Sequence, residues 1–170
     1  MYSDRDELEL SLKPAEVAFS SNRTAQLFVT ERSAKQILCE IDCRYRLPTA
    51  QQRKALLIGF AMCGKSLVGS AYDAVRLGRE VDLDDADDIA RNNDAIVIVE
   101  IKSTGQTRVG PDLAGYFFNL TASEMTNAQT LKDQYRILFL NTARGDWQER
   151  SMSEVMAQAK AIYPAFHIRL

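Results

Sequence analysis

The sequence predicts an α/β fold in which a mixed central sheet is flanked by helices. Three observations carry this expectation. Ala95–Ser103 reads AIVIVEIKS, apolar on both alternating faces, as a strand covered from both sides does. Tyr135–Asn141 reads YRILFLN, a second aliphatic strand. Capping-box pairs at Thr49/Gln52, Thr121/Glu124 and Ser151/Glu154 mark helix starts around these strands.

In chain order, residues 1–32 hold two short strand candidates, Leu8–Lys13 and Ala25–Thr30, separated by a turn at Ser20–Arg23. Ala34, Ile37, Leu38, Ile41 and Tyr45 then fall at helical spacing and predict a helix over Ser33–Arg46. We read residues 1–48 as an N-terminal extension whose helix packs on the core, and 49–170 as the main domain. Pro48 breaks the first helix, and Thr49 caps a second over Ala50–Cys63. Its second half, Leu56–Met62, is apolar almost all round and is expected to be deeply buried, with Gly64 as the stop.

Ala71–Leu77 alternates, placing Ala71, Asp73, Val75 and Leu77 on one strand face. Asp82–Asn93 reads as an acidic loop or short exposed helix. After the strand at Ala95–Ser103 come a loop over Gly105–Gly115 and an expected third strand at Tyr116–Leu120. A helix from the Thr121 cap to about Gln134 leads into the fourth strand, Tyr135–Asn141. Trp147 is read in a turn. A last helix, opened by Ser151, puts Met152, Val155, Met156, Ala159 and Ile162 on one face and ends at Pro164. Phe166, Ile168 and Leu170 alternate as a short terminal strand.

With 46% hydrophobic and 26% charged residues in 170, the chain is neither disordered nor fibrous in composition. A net charge of −2 excludes a uniformly basic nucleic-acid binder and leaves room for a local basic site. Cys39, Cys43 and Cys63 are an odd count, and His167 is the single histidine, too few ligands for zinc. We expect reduced, buried thiols, a cytoplasmic address and no membrane span.

The chemistry concentrates on the central strand. Glu100 and Lys102, two residues apart, share the face of Ile96 and Ile98, so an acid and a base continue a buried apolar row. Burying either charge unpaired costs several kcal/mol, so each needs a partner. Asp73 poses the same problem on the preceding strand. If the two strands pair, Asp73 lies opposite Glu100, and two close carboxylates repel unless a cation sits between them. Magnesium suits such a pair, with manganese as the alternative. A neighbouring lysine would orient or deprotonate a water, which together amounts to metal-assisted phosphodiester hydrolysis. The ordinary alternative is an E-x-K ion pair at a sheet edge.

Asp73 followed by Glu100-Ile101-Lys102 on consecutive strands resembles the PD-(D/E)xK nuclease superfamily, the restriction-endonuclease-like fold with an αβββαβ core. EIKSTGQ, GYFFNLTASEM and AQTLKDQYRILFLN are similar, more narrowly, to the nuclease-like domain at the C-terminus of NO VEIN-type proteins, where a Glu-bearing helix start follows the E-x-K strand. The resemblance covers roughly residues 49–170. It implies Asp73 and Glu100 as metal ligands, the Ile101 carbonyl completing the metal shell, and Lys102 as the catalytic lysine. It also implies DNA as substrate, RNA staying open. A homodimer is possible, since two cuts need two sites. Tyr72 stands where the family often has proline, and Gln51 and Gln52 where some members carry a helical acid. Asp82, Asp84 and Asp85 are alternatives to Asp73.

A rival motif, Gly59-Phe-Ala-Met-Cys-Gly64-Lys65-Ser66, matches the phosphate-cradling P-loop G-x-x-x-x-G-K-[ST]. It would require Leu56–Ile58 as a strand and Leu67–Leu77 as a helix. A third reading is a nuclease-like module that binds nucleic acid or protein without cutting. Arg44, Arg46, Arg53 and Lys54 form a basic stretch that would touch phosphate or simply face solvent. Gln129, Lys132 and Arg136 lie where such folds often meet DNA.

Overall fold

A computed structural model describes residues 34–40, 42–110 and 112–163. The strand candidates and turn within 1–32, and the terminal strand at 166–170, lie outside the described residues. Helix α1 covers 34–40. It is followed by β1 (Tyr45–Arg46), α2 (Ala50–Met62), β2 (Ala74–Leu77), α3 (Ala86–Arg91), β3 (Ile96–Thr104), α4 (Ala122–Leu131), β4 (Tyr135–Asn141), β5 (Asp146–Arg150) and α5 (Met152–Gln158). The strands form one five-stranded sheet in the order β1-β2-β3-β4-β5. β1–β2, β2–β3 and β4–β5 pair antiparallel and β3–β4 pair parallel, so the sheet is mixed.

All three capping boxes form: Thr49, Thr121 and Ser151 each accept from the backbone N–H three residues on, while Gln52, Glu124 and Glu154 reach back. They define helix starts because local side-chain oxygens satisfy backbone donors that the helix itself cannot. Gly64, at φ 70°, follows the C-cap of α2 as expected of a stop residue.

Alternation splits the sheet's side chains between two cores. One face carries Val75, Ile96, Ile98, Tyr135, Ile137 and Phe139, covered by Leu56 and Phe60 of α2, Ile89 of α3 and Leu131 of α4. The other carries Tyr45, Ala74, Val99, Ile101, Leu138 and Leu140, with Ala34 and Leu38 of α1 on top. Across this second face the Tyr45 hydroxyl donates to Glu149, which also pairs with Arg76 at 3.0 Å.

Several expectations are corrected. Tyr116–Leu120 forms no strand and pairs with none. Tyr116, Phe118 and Leu120 face the core while Phe117 faces solvent, so the alternation is real, but its inward side is spent on packing. Tyr116 and Phe118 meet Phe139 edge-on at 5.2 and 5.1 Å. The extra antiparallel strand instead lies at Asp146–Arg150, where Trp147 is a strand residue stacked edge-on with Tyr45. The first helix does not extend to Tyr45, which sits in edge strand β1. Ile58 and Met62, one turn apart on α2, are 55% and 56% exposed. A helix lying on one sheet buries one stripe, whatever its other faces carry. α5 ends at Gln158, before Ile162. Cys43 and Cys63 are exposed and Cys39 only half-buried, so none is a core side chain.

α2 and α3 approach closely at Gly59, where a Cβ would stand 2.4 Å from Ile89 Cγ2 and 3.0 Å from the Ala86 carbonyl. Gly59→Ala should therefore destabilise by about 1–3 kcal/mol through overpacking, although alanine is the better helix former. Urea denaturation midpoints check this; an unchanged or raised midpoint would contradict the close approach.

Candidate active site

β3 is the platform. Lys102 pairs in register with Phe139 and Glu100 with Ile137 of β4, so both charged residues rise from the apolar face. The β2–β3 ladder ends at the pair Ala74–Val99, so Asp73 stands just beyond its last paired residue. The Asp73 N–H donates to the Val99 carbonyl at 2.9 Å, on the residue that Ala74 already faces, and so keeps Asp73 close to Glu100 without setting it directly across. The three residues expected to carry chemistry are thus brought together.

Glu100 is only 8% exposed. Its carboxyl is pushed up to about 7 by burial first and then by the Asp73 charge, which together outweigh the pull of Lys102; Glu124 adds to the rise. Lys102 Nζ donates to Glu100 Oε1 at 2.8 Å and to Glu124 Oε2 at 3.0 Å. Burial pulls the Lys102 ammonium down, but the two carboxylates more than compensate and hold it above the ordinary lysine value. Lys102 is therefore a cation in this arrangement and no proton acceptor. The Tyr135 hydroxyl lies under the same charges: burial and then Glu100, Glu124 and Asp73 all raise it.

Asp73 uses both carboxylate oxygens. Oδ2 accepts from the Ile101 N–H at 3.0 Å, and Oδ1 meets Lys35 Nζ at 2.7 Å. β2 pairs with β3 no further than Val99, and a strand residue's N–H and C=O point to the same side. The Ile101 carbonyl therefore faces the edge at which Asp73 stands.

Glu124 and Lys35 were not expected at this site. The Thr121/Glu124 spacing announces a capping box, and Glu124 Oε2 does accept the Thr121 N–H at 3.1 Å. The same oxygen also binds Lys102, so one side chain caps α4 and neutralises the site lysine. Its 7% exposure is the sign of that second duty. Lys35 gave no signal, because only packing of α1 brings it to Asp73.

A second layer holds the segment before β2. Asn127 of α4, fully buried, accepts from the Val68 N–H at 2.7 Å and donates to the Val68 and Ala71 carbonyls, each at 3.1 Å. Arg53 stacks 4.5 Å over the Tyr72 ring and donates to the Gly69, Tyr72 and Asp73 carbonyls. Asn127→Ala removes three bonds to backbone groups, one of them fully buried, and should destabilise by about 2–4 kcal/mol. Chemical denaturation reads this; a loss under about 1 kcal/mol would mean that water replaces the amide.

Other expectations are not met. Asp82, Asp84 and Asp85 serve local turns and the α3 cap: Asp82 accepts from Asp84 N–H, Asp85 from Asp87 N–H, and Asp84 from Gln52. Of the basic stretch, Arg53 turns inward, while Arg44, which chelates Asp42, and Arg46 and Lys54 are exposed, as the solvent-facing alternative expects. The P-loop motif begins inside α2, where Leu56–Gly59 are helical, and no helix covers Leu67–Leu77. Lys65 Nζ donates instead to Asn93 and Gln134, a clip joining the end of α2 to the starts of β3 and β4.

Among the described residues, no group of three or more His, Cys, Asp or Glu side chains is placed to hold a metal ion. What the site offers is two neighbouring carboxylates and one backbone carbonyl, all oxygen donors. No described helix is long and apolar enough to cross a membrane. Compared with protein-family models, curated proteins and solved structures, the chain matches none.

Proposed function

We propose that the protein is a magnesium-dependent phosphodiesterase acting on DNA, with Asp73 and Glu100 as metal ligands and Lys102 beside them. The observation that carries this reading is Glu100: a carboxyl pushed up to about 7 by burial and then by the Asp73 charge, beside an ammonium already shared with Glu124. Burial of like charges is costly, and structures retain it where a cation or reaction uses it.

The donor set fits a hard divalent ion. Magnesium or manganese takes a few carboxylate and carbonyl oxygens and keeps several waters, so an all-protein cage is unnecessary. Asp73, Glu100 and the Ile101 carbonyl would hold it. When bound, the ion would neutralise charge on the phosphate and lower the pKa of water. Lys102, kept protonated, would orient the attacking water by donation and stabilise negative charge developing on a phosphate oxygen. Glu124 would position Lys102, and Asn127 and Arg53 the strand end bearing Asp73.

Over residues 49–141 the observed order is α2, β2, α3, β3, α4 and β4, which lacks the strand expected at Tyr116–Leu120 and is not the αβββαβ series expected there; that series is recovered only by counting α1 and β1, outside the resembling residues. With α2 and α3 taken as insertions, α1, β1, β2, β3, α4 and β4 follow the order αβββαβ. The first strand of that series is then Tyr45–Arg46, and the strand expected at Tyr116–Leu120 has no part in it.

The test is DNA cleavage with and without magnesium, alongside ATP hydrolysis, for wild type and Lys65→Ala. Magnesium-dependent cleavage retained in Lys65→Ala is the expected result. ATP turnover lost with Lys65 would favour nucleotide chemistry. No activity in either assay would favour a nuclease-like module that binds without cutting.

A further inference from the structure

Lys35 has no part in the hydrolysis as proposed, yet it holds one oxygen of a ligand to the proposed metal. Its helix is anchored: Ala34 and Leu38 are fully buried against Val99, Ile101 and Leu138. From this support Lys35 Nζ reaches Asp73 Oδ1 at 2.7 Å, with the two side chains 28% and 16% exposed. The other oxygen is taken by the Ile101 N–H. A divalent ion seeking a bond of about 2.0–2.1 Å to Asp73 enters the same region as the ammonium, and the two cations repel.

A divalent ion adds two positive charges beside the Lys35 and Lys102 ammoniums, and the negative charge of a phosphodiester offsets part of them.

On the hydrolytic reading above, we propose that Lys35 is a tethered counter-ion of Asp73 that a divalent metal displaces. The released ammonium pairs with the phosphodiester. Metal and an anionic nucleic-acid strand therefore bind cooperatively, each strengthening the other by the same factor.

The test measures Mn²⁺ binding by the paramagnetic resonance of the free ion, for wild type, Lys35→Met, Lys35→Arg and Glu100→Gln. Each is titrated with and without a phosphorothioate oligonucleotide chosen to resist cleavage. Lys35→Met should bind Mn²⁺ about tenfold more tightly than wild type without the oligonucleotide. The oligonucleotide should tighten wild-type binding about tenfold, and that of Lys35→Met by less than about threefold. Lys35→Arg, which keeps the charge, should stay near wild type. Wild-type or weaker Mn²⁺ binding by Lys35→Met would overturn the inference. If Glu100→Gln still abolishes binding, the hydrolytic reading survives that failure. Absence of Mn²⁺ binding in wild type would overturn both. Melting curves identify any unfolded variant. The wild-type chain then carries the test: Mn²⁺ should speed acetylation of Lys35, read by mass spectrometry, and an unchanged rate would overturn the proposal.

Discussion

Lys102→Met should lower magnesium-dependent DNA cleavage by about 10³-fold, within the range of a positioned group that moves or stabilises a proton. The effect should fall on kcat with KM little changed, because a charge aimed at the reacting phosphate matters most in the transition state. Methionine keeps the unbranched stem, so packing beside Phe139 is preserved while the ammonium between Glu100 and Glu124 is lost. Lys102→Arg should recover part of the rate, since it restores charge but not the compact ammonium. Single-turnover cleavage at saturating magnesium makes the measurement. A Lys102→Met rate within about threefold of wild type would remove Lys102 from the mechanism. Lys65→Ala is the contrast: its lysine clips α2 to the strands, so stability should drop while cleavage by the folded fraction continues.

Glu100→Gln should abolish cleavage and stabilise the fold at pH 8. The sign follows from the raised carboxyl. Its ordinary value is 4.5 and its folded value about 7. Between these, the folded chain keeps a proton that the unfolded chain releases. The stability contributed by the protonated form is complete below about 4.5 and is lost as pH rises through about 7. The loss amounts to at most about 3.5 kcal/mol, at roughly 1.4 kcal/mol per unit. Glutamine carries no proton to lose, so the difference between wild type and Glu100→Gln isolates this group from acids shifted the opposite way, such as Asp42. Magnesium should restore wild-type stability at pH 8 and leave the variant unmoved. Urea midpoints at pH 5 and 8, with and without magnesium, decide it. Parallel pH profiles for the two proteins would mean that Glu100 is not the strained group.

The site's core was legible because Asp73, Glu100 and Lys102 combine two local facts: charge type and the two-residue period of a strand. Glu124 was half legible, since its spacing from Thr121 announces a cap and nothing local announces Lys102. Lys35 was not legible, being 38 positions from Asp73 with no motif between them. The P-loop match shows the opposite failure. Its residues satisfy a pattern, but the pattern requires a strand before it, and the Thr49 cap commits that stretch to helix.

The chain alone settled what nearest neighbours settle. Helix starts at Thr49, Thr121 and Ser151, the bounds of β4, and the pairing of an acid with a base on β3 all follow from hydrogen bonds or alternation within a few residues. The fold had to decide which half of an alternating segment finds a strand partner. Tyr116–Leu120 packs its aromatic side chains and stays unpaired, while the polar Asp146–Arg150 gains a ladder because a tight turn at Gly145 returns it alongside β4. The fold also decided which charges meet. Coulomb energy depends on distance in space, and only packing of α1 and α4 on the sheet brings Lys35 and Glu124 to the carboxylates and lysine of β2 and β3.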